Sequence, residues 1–335
     1  MDTPRQRVLT AFRHQQPDRT PYQITYTEPA RRKLEVHFQS TALDDLIGNH
    51  LAKYRARPLD VPLPGQPGFF RDEWGVVWNR TIDENIGVVD DFLLKERSLE
   101  GYQFPDPLNP GRYDRLPAFI AANPQRFRYA SIGFALFERA WSLRSMTELL
   151  VDMLQAPEWV DELFDAITAF DLAVLDQLLR YDLDGILFGD DWGQQTGLIF
   201  GRRLWRRFIK PRMAQLYARV RQAGKVVLIH CCGQVQELFP ELIEIGLDVF
   251  NPFQPDVMDP YAIKKQYGDR LAFYGGVSVQ GLLPLGTPAE IRREVRRLMR
   301  EVGQGGGFVV GPSHDMPGDI PLENLLAFIE TVQQG

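Results

Sequence analysis

Short apolar runs recur along the chain from about residue 125 onward. They cover residues 129–133, 185–188, 226–229, 248–250, 271–274 and 307–310. Each run is too apolar for a strand with one face in solvent, but it suits a parallel strand that is buried on both faces. Amphipathic segments with helical spacing lie between the runs. This alternation of strand and helix predicts a parallel α/β fold.

The helical segments have recognisable starts. Thr287-Pro288-Ala289-Glu290 combines a capping box with proline at the first helical position, and residues 145–148 and 3–6 predict helix starts of the same kind. No glycine-rich dinucleotide fingerprint follows the first strand, so a long series of such units favours a (β/α)8 TIM barrel over an open sheet. With residues 22–26 as a first strand, seven barrel strands are assigned and the eighth is not.

The first third of the chain is less regular. Residues 58–68 are rich in proline and glycine, and residues 72–78 resemble one arm of a hairpin. We predict that residues 55–115 form a hairpin and loop insertion that flanks the barrel mouth. The whole chain, residues 1–335, is then a single barrel domain.

Composition excludes several classes of protein. The 335 residues are 44% hydrophobic, and 38 Lys and Arg against 44 Asp and Glu give a formal net charge of −6 without blocks of like charge. This balance argues against binding to nucleic acid or to an anionic membrane. No apolar stretch approaches the roughly 20 residues of a spanning helix. We therefore expect a cytoplasmic protein.

The two cysteines of the chain are neighbours, Cys231 and Cys232. A disulfide between adjacent residues requires a strained ring, so we expect reduced thiols in a reducing compartment. Metal binding or plain burial in the core explains such a pair.

Polar residues follow the predicted strands, at the end where active sites of such barrels lie. Among these, Glu138 and Asp190 are candidates for acid–base catalysis, although one carboxylate of the Asp190-Asp191 pair is equally explained as a helix cap. Five others are expected to bind substrate: Asp191, Trp192, Asn251, Gln254 and Ser313.

The candidate metal site lies after the run 226–229. Strand alternation places His230 and Cys232 on one face and Cys231 on the other. Imidazole nitrogen and thiolate sulfur are ligands that zinc prefers, and His314 can supply a third ligand. Glu138 or Asp190 could add an oxygen, with one position left open for substrate. The alternative is a buried cysteine beside a histidine that only satisfies its hydrogen bonds.

At these residues the chain resembles the uroporphyrinogen decarboxylase superfamily, which contains tetrapyrrole decarboxylases and zinc-dependent corrinoid methyltransferases. The resemblance implies a (β/α)8 barrel. Its motifs are Arg7-Val8-Leu9 through Pro17-Asp18-Arg19-Thr20-Pro21, Gly189-Asp190-Asp191-Trp192-Gly193, Phe208-Ile209-Lys210-Pro211, His230-Cys231-Cys232-Gly233, Asn251-Pro252-Phe253-Gln254, Tyr274-Gly275-Gly276, Pro312-Ser313-His314 and Ile320-Pro321-Leu322-Glu323-Asn324.

The two branches of the superfamily differ in residues that can be compared with this chain. Decarboxylases carry an arginine-rich loop after the first strand that binds substrate carboxylates, whereas residues 22–29 here contain no arginine. Methyltransferases carry His-x-Cys and a distant cysteine that bind zinc, and His230 and Cys232 match the first part. His314 stands where the distant cysteine is expected, but it also matches a histidine of the decarboxylases.

The primary hypothesis is a zinc-dependent methyltransferase that transfers a methyl group to or from a corrinoid or a thiol, with zinc held by His230, Cys232 and His314. Any corrinoid belongs to a separate partner protein, because the Asp-x-His-x-x-Gly signature is missing. One alternative is a metal-free decarboxylase-like lyase for a tetrapyrrole or a smaller acid. Another is a non-catalytic corrinoid or tetrapyrrole binder. The small-molecule donor or tetrapyrrole is not identified by the sequence, and a homodimer stays open.

Overall fold

The computed structural model describes residues 2–82, 84–85 and 87–335. In chain order the strands are β1 (Leu51–Arg55), β2 (Val61–Pro62), β3 (Phe69–Arg71), β4 (Val77–Asn79), β5 (Val88–Val89), β6 (Phe127–Ile132), β7 (Gly185–Gly189), β8 (Gly193–Gln194), β9 (Gly197–Leu198), β10 (Val226–His230), β11 (Val249–Phe253), β12 (Ala272–Val277) and β13 (Phe308–Pro312).

The helices alternate with the parallel strands through the second half of the chain. They are α1 (Pro4–Phe12), α2 (Glu28–Phe38), α3 (Leu43–Ile47), α4 (Leu116–Ala122), α5 (Phe137–Arg144), α6 (Met146–Gln155), α7 (Pro157–Leu178), α8 (Gly201–Leu204), α9 (Lys210–Gln222), α10 (Phe239–Glu244), α11 (Pro260–Tyr267), α12 (Leu282–Leu285), α13 (Pro288–Glu301) and α14 (Leu322–Gln334). A single π-helical turn, Trp205–Ile209, joins α8 to α9. No helix among the described residues has the length and apolar character needed to cross a membrane.

Two of the three predicted capping boxes, at α13 and α1, are complete. The Thr287 and Glu290 side chains bond reciprocally with backbone N–H groups at the start of α13, and Thr3 and Gln6 do the same at α1. At α6 the Ser145 hydroxyl accepts from the Glu148 N–H. These contacts satisfy N–H groups that a helix start leaves unpaired.

Within the described part of the chain, seven strands form one curled parallel sheet in the order β1-β6-β7-β10-β11-β12-β13. Six of them overlap the six apolar runs that the sequence pattern assigned from residue 125 onward. The α/β class and the parallel sheet are therefore confirmed, whereas the eight regular strands of the predicted barrel are not reached.

Residues 22–26, predicted as the first barrel strand, lie between β13 and β1 as irregular backbone. Residues 22–26 form no regular strand, but Tyr22 and Tyr26 make isolated parallel bridges to Val310 and Met316. On the other side, the His50 N–H donates to the Tyr22 carbonyl at 3.2 Å. The segment thus links the two edges of the curled sheet. The strand that the sequence left unassigned is β1.

The inner face of the sheet carries its own apolar cluster. Helix α1 adds Val8 and Phe12 to this cluster, and the Phe12 and Phe127 rings meet edge to face with centroids 5.3 Å apart. The strands contribute Leu51, Phe127, Tyr129, Leu187, Leu228, Val249, Ala272, Tyr274 and Val309. A larger core fills the space between the outer face and the helices. The side chains of α1 close the amino-terminal end of the interior.

Strands β2, β3, β4 and β5 form a separate antiparallel sheet within residues 55–115. Asp72 lies in the turn between β3 and β4, so residues 72–78 are that turn and the second arm rather than one arm of a hairpin. The buried Asp72 carboxylate accepts from the Trp78 Nε1–H and from Arg139 of α5. The rings of Trp78 and Phe134 also meet, so this sheet lies near the carboxyl end of β6. Its status as an insertion relative to related chains stays a prediction.

Candidate metal centre

Three side chains of suitable type meet at the carboxyl end of β10. The ligand atoms of His230, Cys232 and His314 all lie within 4.8 Å of one another. The Cys232 Sγ and His230 Nε2 atoms are 3.5 Å apart, and the two imidazole centroids are 5.5 Å apart. Neighbouring donors of a tetrahedral zinc ion with bonds of about 2.0–2.3 Å are separated by about 3.5 Å. The donor types therefore suit zinc, and the separation of His230 Nε2 and Cys232 Sγ matches that of neighbouring zinc ligands.

Asn251 fixes which nitrogen of His230 faces the other donors. Its Oδ1 atom lies 2.7 Å from His230 Nδ1, while its Nδ2 atom donates to the Tyr274 carbonyl at 3.0 Å. Because the amide oxygen faces the ring, Nδ1 carries the proton and Nε2 keeps its lone pair. Nε2 is the atom next to Cys232, as a metal ligand requires.

Two side chains from other parts of the fold accept hydrogen bonds from the backbone of the turn after β10. The Cys232 N–H donates to Asp191 Oδ1 at 2.8 Å, and the Gly233 N–H donates to Gln254 Oε1 at 2.7 Å. Gly233 has φ 88°, and a Cβ there would lie 2.4 Å from the carbonyl carbon of Gly193. Glycine is thus required both by conformation and by the close approach of the β8 backbone.

The two cysteines have different surroundings. Cys231 is fully buried, and its Sγ atom accepts from the Trp192 N–H at 3.3 Å. Cys232 is half-buried and lies against His230. Burial and the nearby Asp191 and Glu138 carboxylates raise the pKa of the Cys232 thiol. The same negative charges favour a cation beside that sulfur.

Asp190 occupies the amino terminus of α5. Its carboxylate accepts from the backbone N–H groups of Leu136, Phe137 and Glu138 and from Trp192 Nε1, at distances of 2.5–3.3 Å. Burial raises its pKa to about 6 against the opposing effect of these donors. The side chain is fully enclosed. This geometry matches the helix-cap alternative that the sequence left open for one carboxylate of the pair.

Glu138 is the other acid–base candidate. Its side chain is half-buried, and burial together with the charges of Asp191 and Asp190 raises its pKa well above the usual range. The negative charge of ionised Glu138 is one of the causes that raise the pKa of the Cys232 thiol. A half-buried carboxyl group with a raised pKa beside the thiol suits proton transfer there.

The residues expected to bind substrate divide into two groups. Trp192 and Ser313 are fully buried, and the Ser313 Oγ atom accepts from the Val279 N–H at 3.1 Å. The side-chain oxygens of Gln254 and Asp191 accept hydrogen bonds from backbone N–H groups of the turn after β10. In this conformation these side chains hold loops of the site, and Asn251 orients His230. Their contact with a substrate stays a prediction.

Two cations of the site escaped the sequence reasoning. Lys53 and Arg55 alternate along β1, and both side chains are exposed. Burial lowers the pKa of His230, and the positive charge of Lys53 adds to this effect. A pair of cations at alternate positions in a short apolar run was the available signal, but β1 had not been assigned as a strand.

Comparisons with known proteins decide the family. The family model of uroporphyrinogen decarboxylase (URO-D) matches residues 130–335. The chain belongs to the uroporphyrinogen decarboxylase family. The matched residues include the His230–Gly233 turn, Asn251 and His314, so the candidate metal centre lies within the family's shared region.

Relatives of this uroporphyrinogen decarboxylase family member carry two kinds of name. A methylated-thiol–coenzyme M methyltransferase of Methanosarcina mazei is 25% identical over 178 residues, covering 53% of this chain and 45% of the relative. Uroporphyrinogen decarboxylases of Coxiella burnetii and Thermus thermophilus are 25% and 31% identical, over 54% and 39% of this chain and 49% and 36% of theirs. The chain thus spans about half the length, or less, of these curated relatives.

A solved structure resembles the whole fold. A methyltransferase from Methanosarcina mazei superposes with a TM-score of 0.74 and 18% identity, covering 100% of this chain and 99% of the other. At this level of identity the likeness establishes the fold of the uroporphyrinogen decarboxylase family member and leaves its reaction open.

Proposed function

We propose that this protein is a zinc-dependent methyltransferase that transfers a methyl group between a corrinoid, carried by a separate protein, and a thiol. The observation that carries the proposal is the meeting of the His230, Cys232 and His314 ligand atoms within 4.8 Å. The methyltransferase name of one relative agrees with it.

His230, Cys232 and His314 would hold the metal. Zinc bound by two imidazoles and one thiolate would supply Lewis acidity toward the sulfur of a thiol or thioether. Asn251 keeps the lone pair of His230 Nε2 directed at the other donors. The Asp191 carboxylate supplies negative charge beside Cys232, which favours a bound cation.

Glu138 is the residue best placed to handle the proton. When a thiol accepts a methyl group, the bond between the methyl group and its donor breaks with the electron pair staying on the donor, a C–S bond forms, and the proton of the broken S–H bond needs an acceptor. Asp190 is enclosed by four N–H donors, so its oxygens are already used. Glu138 is half-buried beside the site, and its raised pKa makes its ionised form a stronger base.

The metal content of purified protein tests the proposal. We expect about one zinc ion per chain in protein purified without added zinc, measured by elemental analysis. Cys232→Ala should lose the ion, whereas the neighbouring variant Cys231→Ala should keep it because Cys231 points into the core. Absence of zinc from the wild type, or equal zinc in Cys232→Ala, would contradict the proposal.

The transfer itself is tested separately. Loss of methylcobalamin absorbance in the presence of a thiol is expected with wild-type protein and not with Cys232→Ala. Glu138→Gln should slow turnover while the zinc content stays unchanged, since its carboxyl group is assigned to the proton and not to the metal.

A decarboxylase-like lyase acting on a tetrapyrrole or a smaller carboxylic acid is the second candidate. The exposed cations Lys53 and Arg55 of β1 favour an acidic substrate, and several relatives are named uroporphyrinogen decarboxylase. Release of carbon dioxide from uroporphyrinogen at equal rates in wild type and Cys232→Ala would support the lyase. No release from uroporphyrinogen or from a panel of smaller carboxylic acids would exclude it.

A further inference from the structure

Strand β1 directs two cations toward the interior of the curled sheet. Leu51 packs in the inner apolar cluster with Phe127 and Tyr129, whereas Tyr54 packs in the outer core. Because alternate residues of a strand share a face, Lys53 and Arg55 lie on the same face as Leu51. In register they stand beside Tyr129 and Ser131 of β6. They therefore continue the inner face beyond its apolar layer.

Lys53 is exposed but has charged groups of the candidate metal centre near it. The residue is exposed to solvent, yet surrounding protein lowers the pKa of its ammonium group through desolvation. Its charge interacts with Asp315, next to His314, and also acts on His230. Lys53 is therefore both open to water and within electrostatic reach of the candidate metal centre.

Neither cation has a direct polar partner among the described residues. Within the described part of the chain, Lys53 and Arg55 make no hydrogen bond or salt bridge, whereas the next cation of the alternation, Arg57, lies 3.5 Å from Asp60. Two adjacent like charges without a direct partner are unfavourable in a partly desolvated site. An arrangement that costs stability at the opening of a candidate active site points to a ligand that supplies the missing charge.

We propose that Lys53 and Arg55 form an oxyanion subsite that binds a carboxylate or sulfonate group of the small molecule whose other end reaches His230, Cys232 and His314. This inference rests on the proposed function for the reacting end of that molecule. The planar guanidinium of Arg55 matches two oxygens of such a group, and Lys53 adds a point charge.

Binding of simple anions tests the subsite without any thiol or metal. The full chain, treated with a chelator, is titrated with propionate, with ethanesulfonate and with neutral propionamide, and binding is followed by ligand-observed NMR. We expect the two anions to bind and the amide not to bind. The stronger of the two anions then identifies the chemical class of the substrate's charged end. Equal binding of all three probes would overturn the proposal.

Variants locate the binding. Lys53→Met and Arg55→Met should each weaken anion binding about tenfold or more, as loss of a charge-assisted contact predicts. Arg292→Met is the matched control, because it removes one positive charge from the surface of α13, where Arg292 pairs with Glu330. Unchanged affinity in both β1 variants, or an equal loss in the control, would overturn the proposal.

Two further measurements separate loss of anion binding from loss of folding or loss of the metal. Lys53→Met is expected to retain or raise the melting temperature, since it removes a desolvated cation without a direct partner, so lost binding is not lost folding. Cys232→Ala should keep full anion binding. If zinc is present but the anions do not bind, the subsite fails and the proposed methyl transfer stands; if zinc is absent and the anions bind, the reverse holds.

Discussion

His230 Nδ1 lies 2.7 Å from Asn251 Oδ1, and the amide of Asn251 is in turn fixed by the carbonyl of Tyr274. These contacts set the tautomer of His230, a candidate metal ligand in β10, through a residue of β11. The ligand's geometry therefore depends on the pairing of β10 with β11, in which His230 stands opposite Asn251.

Asn251→Ala is expected to weaken zinc affinity by about 10- to 100-fold, because the imidazole loses the partner that orients it. Competition with a chromophoric chelator measures the affinity. Asn123→Ala, which removes an amide from the distal end of α4, is the control and should leave the affinity unchanged. Equal affinities in wild type and Asn251→Ala would show that the contact does not orient the ligand.

Gly233→Ala is expected to lower the free energy of unfolding by about 2–5 kcal/mol, because the added Cβ meets backbone and not a movable side chain. Urea unfolding gives the value. Gly224→Ala is the matched control: its φ is 69°, but nothing lies within 4 Å of the new Cβ, so its cost should be about 1 kcal/mol. Equal costs in the two variants would remove the close approach to Gly193 as an explanation.

Asp190→Asn is expected to cost about 2–4 kcal/mol of stability, because an amide offers one acceptor oxygen to four buried donors and brings two new N–H groups. Asp259→Asn tests the ordinary capping effect, since Asp259 caps α11 at an exposed position and asparagine caps about as well. Its cost should be a few tenths of a kcal/mol. Folded Asp190→Asn should still bind zinc, and a loss of zinc without loss of stability would assign Asp190 to the metal centre instead.

Glu241 is expected to make stability depend on pH. Hydrogen bonds from Arg206, Arg202 and Lys210 outweigh burial and lower its pKa from 4.5 to about 2. Since the folded pKa is the lower one, the stabilisation is present above about pH 4.5 and is lost as pH falls toward 2. Glu241→Gln should therefore cost about 1–2 kcal/mol at pH 7, reduced for the partial exposure of the cations.

The same variant supplies the test. Urea unfolding of wild type and Glu241→Gln between pH 3 and pH 7 should give a difference that is constant above pH 5 and shrinks below it. A difference that stays the same across this range would mean that the variant acts through packing and not through charge.

The sequence predicted the parallel sheet well because each of its buried strands is short and apolar. It failed at β1 and at residues 22–26. The exposed side chains of Lys53 and Arg55 break the apolar run of β1, and irregular pairing leaves residues 22–26 without a strand. The antiparallel turn at Asp72 was also misplaced, because its partners on α5 are distant in sequence.

The candidate metal centre was accessible to sequence reasoning for a different reason. His230 and Cys232 are close in sequence, and His314 follows the last strand of a sheet whose carboxyl ends converge. The role of Asp190 was not accessible in the same way, because its backbone donors lie 52–54 positions earlier in the chain. Residue type suggests a ligand, but only the folded chain shows which atoms are already occupied.

The packing of Val8 and Phe12 against the inner cluster has a kinetic consequence. With the amino-terminal end of the interior filled, molecules reach His230 and Cys232 from the opposite end, where β1 and β10 finish. Arrival and departure then share one path. In the proposed transfer, a methyl carrier docked at that path would cover it, so the smaller reactant would have to enter first, and a product that stays bound would delay the next round.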